Sequence, residues 1–125
     1  MTEKLEIYKC NICGNVAQIL LNGIGYLVCC GENMEHLEPQ FKEDELGEKH
    51  VPQITDINGE KFIKLDNHPM IAEHYIQFIE AISEDKNEIR LKYLYPNQTA
   101  EYKINDFENF NAIELCNIHK LWRSK

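Results

Sequence analysis

Glu88-Ile89-Arg90-Leu91-Lys92-Tyr93-Leu94-Tyr95 alternates strictly between polar and apolar residues for six positions, then turns at Pro96-Asn97. A period of two marks a strand with one buried face, because successive side chains point to opposite sides. Working outward, Thr99 to Ile104 reads as the next strand and Phe110 to Leu115 as the last. On the other side, His74-Tyr75-Ile76-Gln77-Phe78-Ile79-Glu80 is aromatic and β-branched, and Lys61 to Leu65 alternates from Ile63 onward. Asn58-Gly59 is a hairpin turn signal, and Glu84-Asp85-Lys86-Asn87 is a second connection. About six or seven short strands with no helical interludes predict an antiparallel β-sandwich.

Residues 1–36 hold short strands around Gly14, Gly23, Gly25 and Gly31, too little to build a core without a staple. Glu32 to Lys49, rich in Glu and Lys, reads as a linker and approach loop. The expected domains are therefore 1–37 and 38–125. The 125 residues carry 13 Lys and Arg against 21 Asp and Glu, a formal net charge of -8. An acidic chain disfavours nucleic acid and anionic membrane surfaces as partners. Met1-Thr2-Glu3-Lys4-Leu5-Glu6 is too polar for a secretory signal, and no apolar run approaches a membrane span. A soluble, cytoplasmic protein is expected.

Five Cys stand beside five His. In a chain without a signal, clustered cysteines more often bind metal than form structural disulfides. Cys10-Asn11-Ile12-Cys13 is a C-x-x-C knuckle, and Cys29-Cys30 follows after fifteen residues. Four thiolates favour tetrahedral zinc or iron, and spacing does not choose between them. Adjacent side chains diverge in an extended strand, so Cys29 and Cys30 can share one ion only if the backbone bends. The competing readings are a disulfide or free core thiols.

The second set of candidates is His50, His68, His74, Cys116 and His119. Cys116-Asn117-Ile118-His119 has a gap that lets both side chains meet one ion. His68 precedes Pro69, which pushes it to extended geometry in a loop. His74 opens the aromatic strand, and His50 lies in a short loop before Pro52. Taken singly, a histidine is more often a surface or satisfied residue than a ligand, a lone C-x-x-H is a weak motif, and Glu48 and Lys49 are most often solvated charges. His36 falls in the linker, facing water, and belongs to neither set.

Tyr8-Lys9-Cys10-Asn11-Ile12-Cys13-Gly14, Leu27-Val28-Cys29-Cys30-Gly31, Glu48-Lys49-His50-Val51-Pro52, His68-Pro69-Met70, Glu73-His74-Tyr75-Ile76 and Cys116-Asn117-Ile118-His119 with Leu121-Trp122 together resemble desulfoferrodoxin, the two-iron superoxide reductase family. The resemblance implies a small desulforedoxin-like knuckle followed by an immunoglobulin-like sandwich, assembled as a homodimer. It implies two irons per chain, with zinc an alternative at the four-cysteine site. Cys10, Cys13, Cys29 and Cys30 would hold the first iron. His50, His68, His74 and His119 would be equatorial ligands of the second, with Cys116 axial and the opposite position open. The implied reaction takes superoxide, one electron and two protons to hydrogen peroxide, with rubredoxin as the usual donor. Lys49 would steer the anion, and Glu48 would be the sixth ligand of the oxidised site. Lys120 stands where the family usually has Gly, and Phe78 where Trp is expected. The competing functions are a rubredoxin-like electron carrier and a zinc-stabilised interaction module.

Overall fold

Residues 1–125 are all described by the computed structural model, and they divide into two units, Met1–Glu38 and Pro39–Lys125. In the first, β1 (Ile7–Lys9) pairs antiparallel with β2 (Val16–Gln18) on one side. On its other side it pairs with a strand at Glu35–Leu37. Between them β3 (Val28–Cys29) and β4 (Glu32–Asn33) form a two-stranded hairpin, so the Glu35–Leu37 strand is β5. Only a few apolar side chains of this unit, among them Ile7 and Leu37, are buried. So small a core calls for a metal or another cross-link. The linker reading of Glu32 to Lys49 is corrected here, because β4 and β5 occupy its first part. His36 is corrected with it. It lies in β5, stacks on Tyr8 at 5.1 Å, and has Glu6 Oε2 3.3 Å from its Nε2.

The second unit opens with α1 (Glu45–His50), which overturns the expectation of no helix and of a loop at His50. Six residues are under two turns, too few to show a helical period in sequence. Its stop and start are nonetheless chemical. Asp44 caps it by accepting the Gly47 N–H at 2.9 Å, acidic residues occupy the first turn, and Lys49 and His50 the last. Gly47 is required by space, since a Cβ there would collide with the Lys42 carbonyl.

Seven strands follow: β6 (Gln53–Ile57), β7 (Glu60–Lys64), β8 (Ile76–Ser83), β9 (Ile89–Tyr93), β10 (Glu101–Ile104), β11 (Phe110–Cys116) and β12 (Lys120–Arg123). They make two antiparallel sheets, ordered β10-β7-β6 and β12-β11-β8-β9. Ile63, Ile76, Ile79, Ala81, Leu94, Ile104, Phe107 and Ala112 fill the core. This is the sandwich expected from the strand pattern. β6 is the strand expected after Pro52, joined to β7 by the Asn58-Gly59 turn, whereas β12 carries no alternation that marks it in the sequence.

The alternating stretch does form a strand, β9, but its apolar residues do not face the core. Register pairs Lys92 with Ile79 and Arg90 with Ala81, so the two basic residues share the core-side face. Arg90 lies over the Phe107 ring at 4.4 Å and donates to Asn105 O, while Lys92 donates to Glu101 O. β9 is an edge strand, and these long cations close the open side of the sandwich, their stems covering apolar surface.

Two candidate metal centres

The first centre starts at the end of β1. Cys10 N donates to Asn15 O and Gly14 N to Cys10 O, which closes the knuckle, and Gly14 takes φ +86°. The second pair solves its adjacency by bending: Cys30 has φ +54° and Gly31 φ +78°. That left-handed turn brings both sulfurs to one side. Cys13 Sγ is 3.6 Å from Cys29 Sγ, and Cys29 Sγ 3.9 Å from Cys30 Sγ. A disulfide needs about 2.05 Å. A tetrahedron of thiolates at about 2.3 Å from zinc has edges of about 3.8 Å, which these spacings match. All four sulfurs lie within 4.8 Å of one another.

The backbone N–H groups of Cys13 and Ile12 hold the Cys10 thiol down at about 6. Hydrogen bonding to Cys13, then to Cys29 and Cys10, pushes Cys30 up to about 12. Four thiols this close cannot all ionise unaided, and a cation is what allows it. Cys10 is buried, whereas Cys13 and Cys30 reach the surface.

The second centre gathers residues from four places in the chain. His50 ends α1, and His68 sits in the loop after β7. His74 lies in a tight turn before β8, where Ile71 and His74 exchange backbone hydrogen bonds. Cys116 ends β11 where its pairing with β8 shifts register: Leu115 is opposite Phe78 but Cys116 is opposite Ile76, so Gln77 of β8 is the extra, bulged residue. His119 follows, and its N–H donates to Cys116 Sγ at 3.3 Å.

The four imidazoles form a ring. Neighbouring centroids are 4.6 Å apart for His50 and His68, 4.7 Å for His68 and His74, 5.1 Å for His74 and His119, and 4.8 Å for His119 and His50. Each neighbouring pair is steeply inclined, and the diagonal from His50 to His74 is the longer 6.3 Å. Ligand atoms of His50, His74, Cys116 and His119 all lie within 4.8 Å of one another. His68 Nε2 joins them, 3.2 Å from His50 Nε2 and 3.3 Å from Cys116 Sγ. Donors about 2.1 Å from one ion, at right angles, stand about 3 Å apart.

Local contacts aim these nitrogens. His50 Nδ1 meets Leu46 O at 2.8 Å and His68 Nδ1 meets Pro69 O at 2.6 Å. A proton on each Nδ1 leaves the Nε2 lone pair for a metal. His74 Nε2 is buried with no partner at all, an orphan that a metal would satisfy. Burial lowers the pKa of His50 and His74 and takes His68 to about 4, so these rings stay neutral at pH 7. Burial pushes the Cys116 thiol up, and a cation reverses that preference.

Lys49 is exposed, and its charge is one of the influences lowering His50 and His74. Glu48 is exposed on α1, and its carboxylate is not among the gathered donors. It lines a cleft with Phe41, Lys42 and Asp44 that contains none of the four histidines.

Asn117 and Trp122 fall inside the motifs of the sequence, but their bracing roles, and Glu114 altogether, carried no signal there. Asn117 accepts from Tyr75 N at 2.9 Å and donates to Glu73 O at 3.1 Å, stitching the His74 turn to the Cys116 loop. Trp122 stacks on His50 at 4.8 Å and donates its Nε1–H to His119 O at 2.9 Å. Glu114 is fully buried, with neither carboxylate oxygen partnered, and burial raises its pKa well above the usual range.

Two family models match the chain: the desulfoferrodoxin N-terminal domain over residues 2–37 and desulfoferrodoxin over residues 42–125. The desulfoferrodoxin of Desulfarculus baarsii is 40% identical over 128 residues, covering 100% of this chain and 99% of its own. The desulforedoxin of Megalodesulfovibrio gigas is 50% identical over 34 residues, 27% of this chain and 92% of its own. Among solved structures, the superoxide reductase from Treponema pallidum superposes with a TM-score of 0.70 at 23% identity, covering 100% of both chains. At that identity the superposition speaks for the fold.

Proposed function

The chain belongs to the desulfoferrodoxin family, and on that premise we propose that it is a superoxide reductase, converting superoxide, one electron and two protons into hydrogen peroxide. The observation that carries the proposal is the ring of four imidazoles beside the Cys116 thiol. Iron, when bound there, supplies the single electron that the reaction consumes. His50, His68, His74, His119 and Cys116 would hold it. Cys10, Cys13, Cys29 and Cys30 would hold a second iron.

The residues divide the remaining work. Neutral imidazoles hold a cation without cancelling its charge, so a single thiolate leaves the site attractive to an anion. Cys116 donates electron density toward the metal, the same lever that thiolate ligands supply in haem proteins. Lys49 adds a local positive charge against the net charge of -8. Glu48 is proposed as the sixth ligand of the oxidised site. From its exposed position on α1 its carboxylate would have to turn toward the four imidazoles to serve as that ligand. Rubredoxin as electron donor and a homodimer as assembly rest on the family resemblance, and the cytoplasmic location expected from the sequence completes the proposal. No helix is long and apolar enough to cross a membrane.

Metal analysis with visible spectroscopy and pulse radiolysis tests this reading. The expected result is two irons per chain, two thiolate absorption bands, and fast second-order loss of superoxide. One iron confined to the four-cysteine centre would favour the electron carrier, and zinc alone the interaction module.

A further inference from the structure

The backbone carbonyl of His119 receives two side-chain hydrogen bonds. One comes from Trp122 Nε1 at 2.9 Å and the other from Gln40 Nε2, also at 2.9 Å. Gln40 Nε2 also lies 3.2 Å from Leu121 O. Its main chain is engaged as well. Gln40 N donates to Leu121 O and Arg123 N donates to Gln40 O, both at 2.9 Å, so the segment lies parallel along the outer edge of β12. Gln40 comes 79 residues before His119 and one residue after Pro39 begins the second unit.

The loop it grips is under tension. Lys120 directly follows His119 and takes φ +68°, a left-handed conformation that a residue with a Cβ rarely adopts. Relaxing that torsion swings the peptide between His119 and Lys120, and the His119 carbonyl with it. Two donors on one carbonyl oppose the swing. The His119 N–H is held at the same time by Cys116 Sγ.

We propose that Gln40 is a positioning residue for the second metal centre: its side-chain amide, with Trp122, clamps the His119 carbonyl and so fixes the His119 imidazole toward the other donors. The proposal rests on the reading of His119 as a ligand. It does not make Gln40 a catalytic residue, because Gln40 touches neither donor atoms nor substrate. Outer partners of metal ligands set affinity by orienting them, and their loss commonly weakens binding 10- to 100-fold. Gln40 differs from the usual outer partner in gripping the ligand's backbone rather than its ring.

The test uses the full chain loaded with metal at both centres, comparing the natural protein with Gln40→Met and Gln40→Ala. Methionine keeps the length and volume but donates nothing. Both substitutions keep the backbone pairing to β12. The readout is release of metal to a chelator from each centre, followed at the thiolate band of that centre, with thermal unfolding measured in parallel. The expected result is release from the second centre faster by about tenfold in both variants. The first centre should be unchanged, and a shifted Cys116 band should accompany the effect. Trp122→Phe, which removes the other donor, should act in the same direction. Release from the second centre within twofold of the natural protein in a folded Gln40→Met variant would overturn the proposal. So would equal acceleration at both centres, which would mark a general loss of stability. The assay reads metal retention rather than turnover, so failed superoxide chemistry would sink the reductase reading without touching this one.

Discussion

Two residues carry opposite lessons about local geometry. Cys30 and Lys120 both take positive φ, but Cys30 does so to turn its sulfur toward Cys29, whereas Lys120 has a long side chain where the family usually has Gly. The left-handed conformation costs about 1–2 kcal/mol for a residue with a Cβ, partly offset by the greater unfolded freedom of glycine. Lys120→Gly should therefore raise stability by about 0.5 kcal/mol net, read as a higher denaturant midpoint. Lys120→Ala should not, because it keeps the Cβ; equal gains from both would point to charge rather than strain. The role proposed for Lys49 is electrostatic instead. At an assumed separation of about 6 Å and an effective dielectric of roughly 40 to 80, one cation attracts an anion by roughly 1 kcal/mol, somewhat under tenfold in rate. Lys49→Ala should slow the second-order reaction with superoxide by about that factor and flatten its salt dependence. An unchanged rate and salt slope in pulse radiolysis would return Lys49 to the status of a solvated surface charge.

Among the elements, α1 matters most to the second centre, because it delivers His50 and Lys49 from a helix of only six residues. Its position is set by the close approach of Gly47 to Lys42, a backbone-to-backbone contact that no rotamer change can relieve. Gly47→Ala should cost about 1–3 kcal/mol and displace the helix. The expected signature is weaker metal retention at the second centre with an intact spectrum at the first. Normal retention at both centres would mean that the Lys42 segment yields and α1 stays. The β11–β12 hairpin is the other supporting element. The Asn117 bridge to Tyr75 and Glu73, with the bulge at Gln77 of the neighbouring β8, turns one hairpin loop into a frame for three donors, Cys116, His119 and His74. The C-x-x-H spacing was legible in sequence, because both donors lie within one loop. The frame was not, because its partners come from 42 and 44 residues away.

Over the whole molecule, the two ligand sets share no residue and lie in different units, Met1–Glu38 and Pro39–Lys125. Cys13→Ser should therefore lose or loosen the first metal while the second centre keeps its spectrum and its reaction with superoxide. Pulse radiolysis of that variant checks this; loss of the fast reaction with the second iron still bound would show that the centres are coupled. The sequence by itself determined the β class, the hairpin turn at Asn58-Gly59, and the identity of every donor type now gathered at the two centres. Those features depend on neighbours a few residues away, so a local pattern can report them. Only the tertiary structure decided which nitrogen of each histidine faces inward, since carbonyls of Leu46 and Pro69 settle it for His50 and His68. It alone turned Arg90 and Lys92 of β9 toward the core side, because alternation names two faces without saying which is covered. It alone joined Gln40 to His119 and Asn117 to Tyr75 and Glu73. Such contacts follow from the register of strands paired far apart in the chain, and no local window of sequence contains that register.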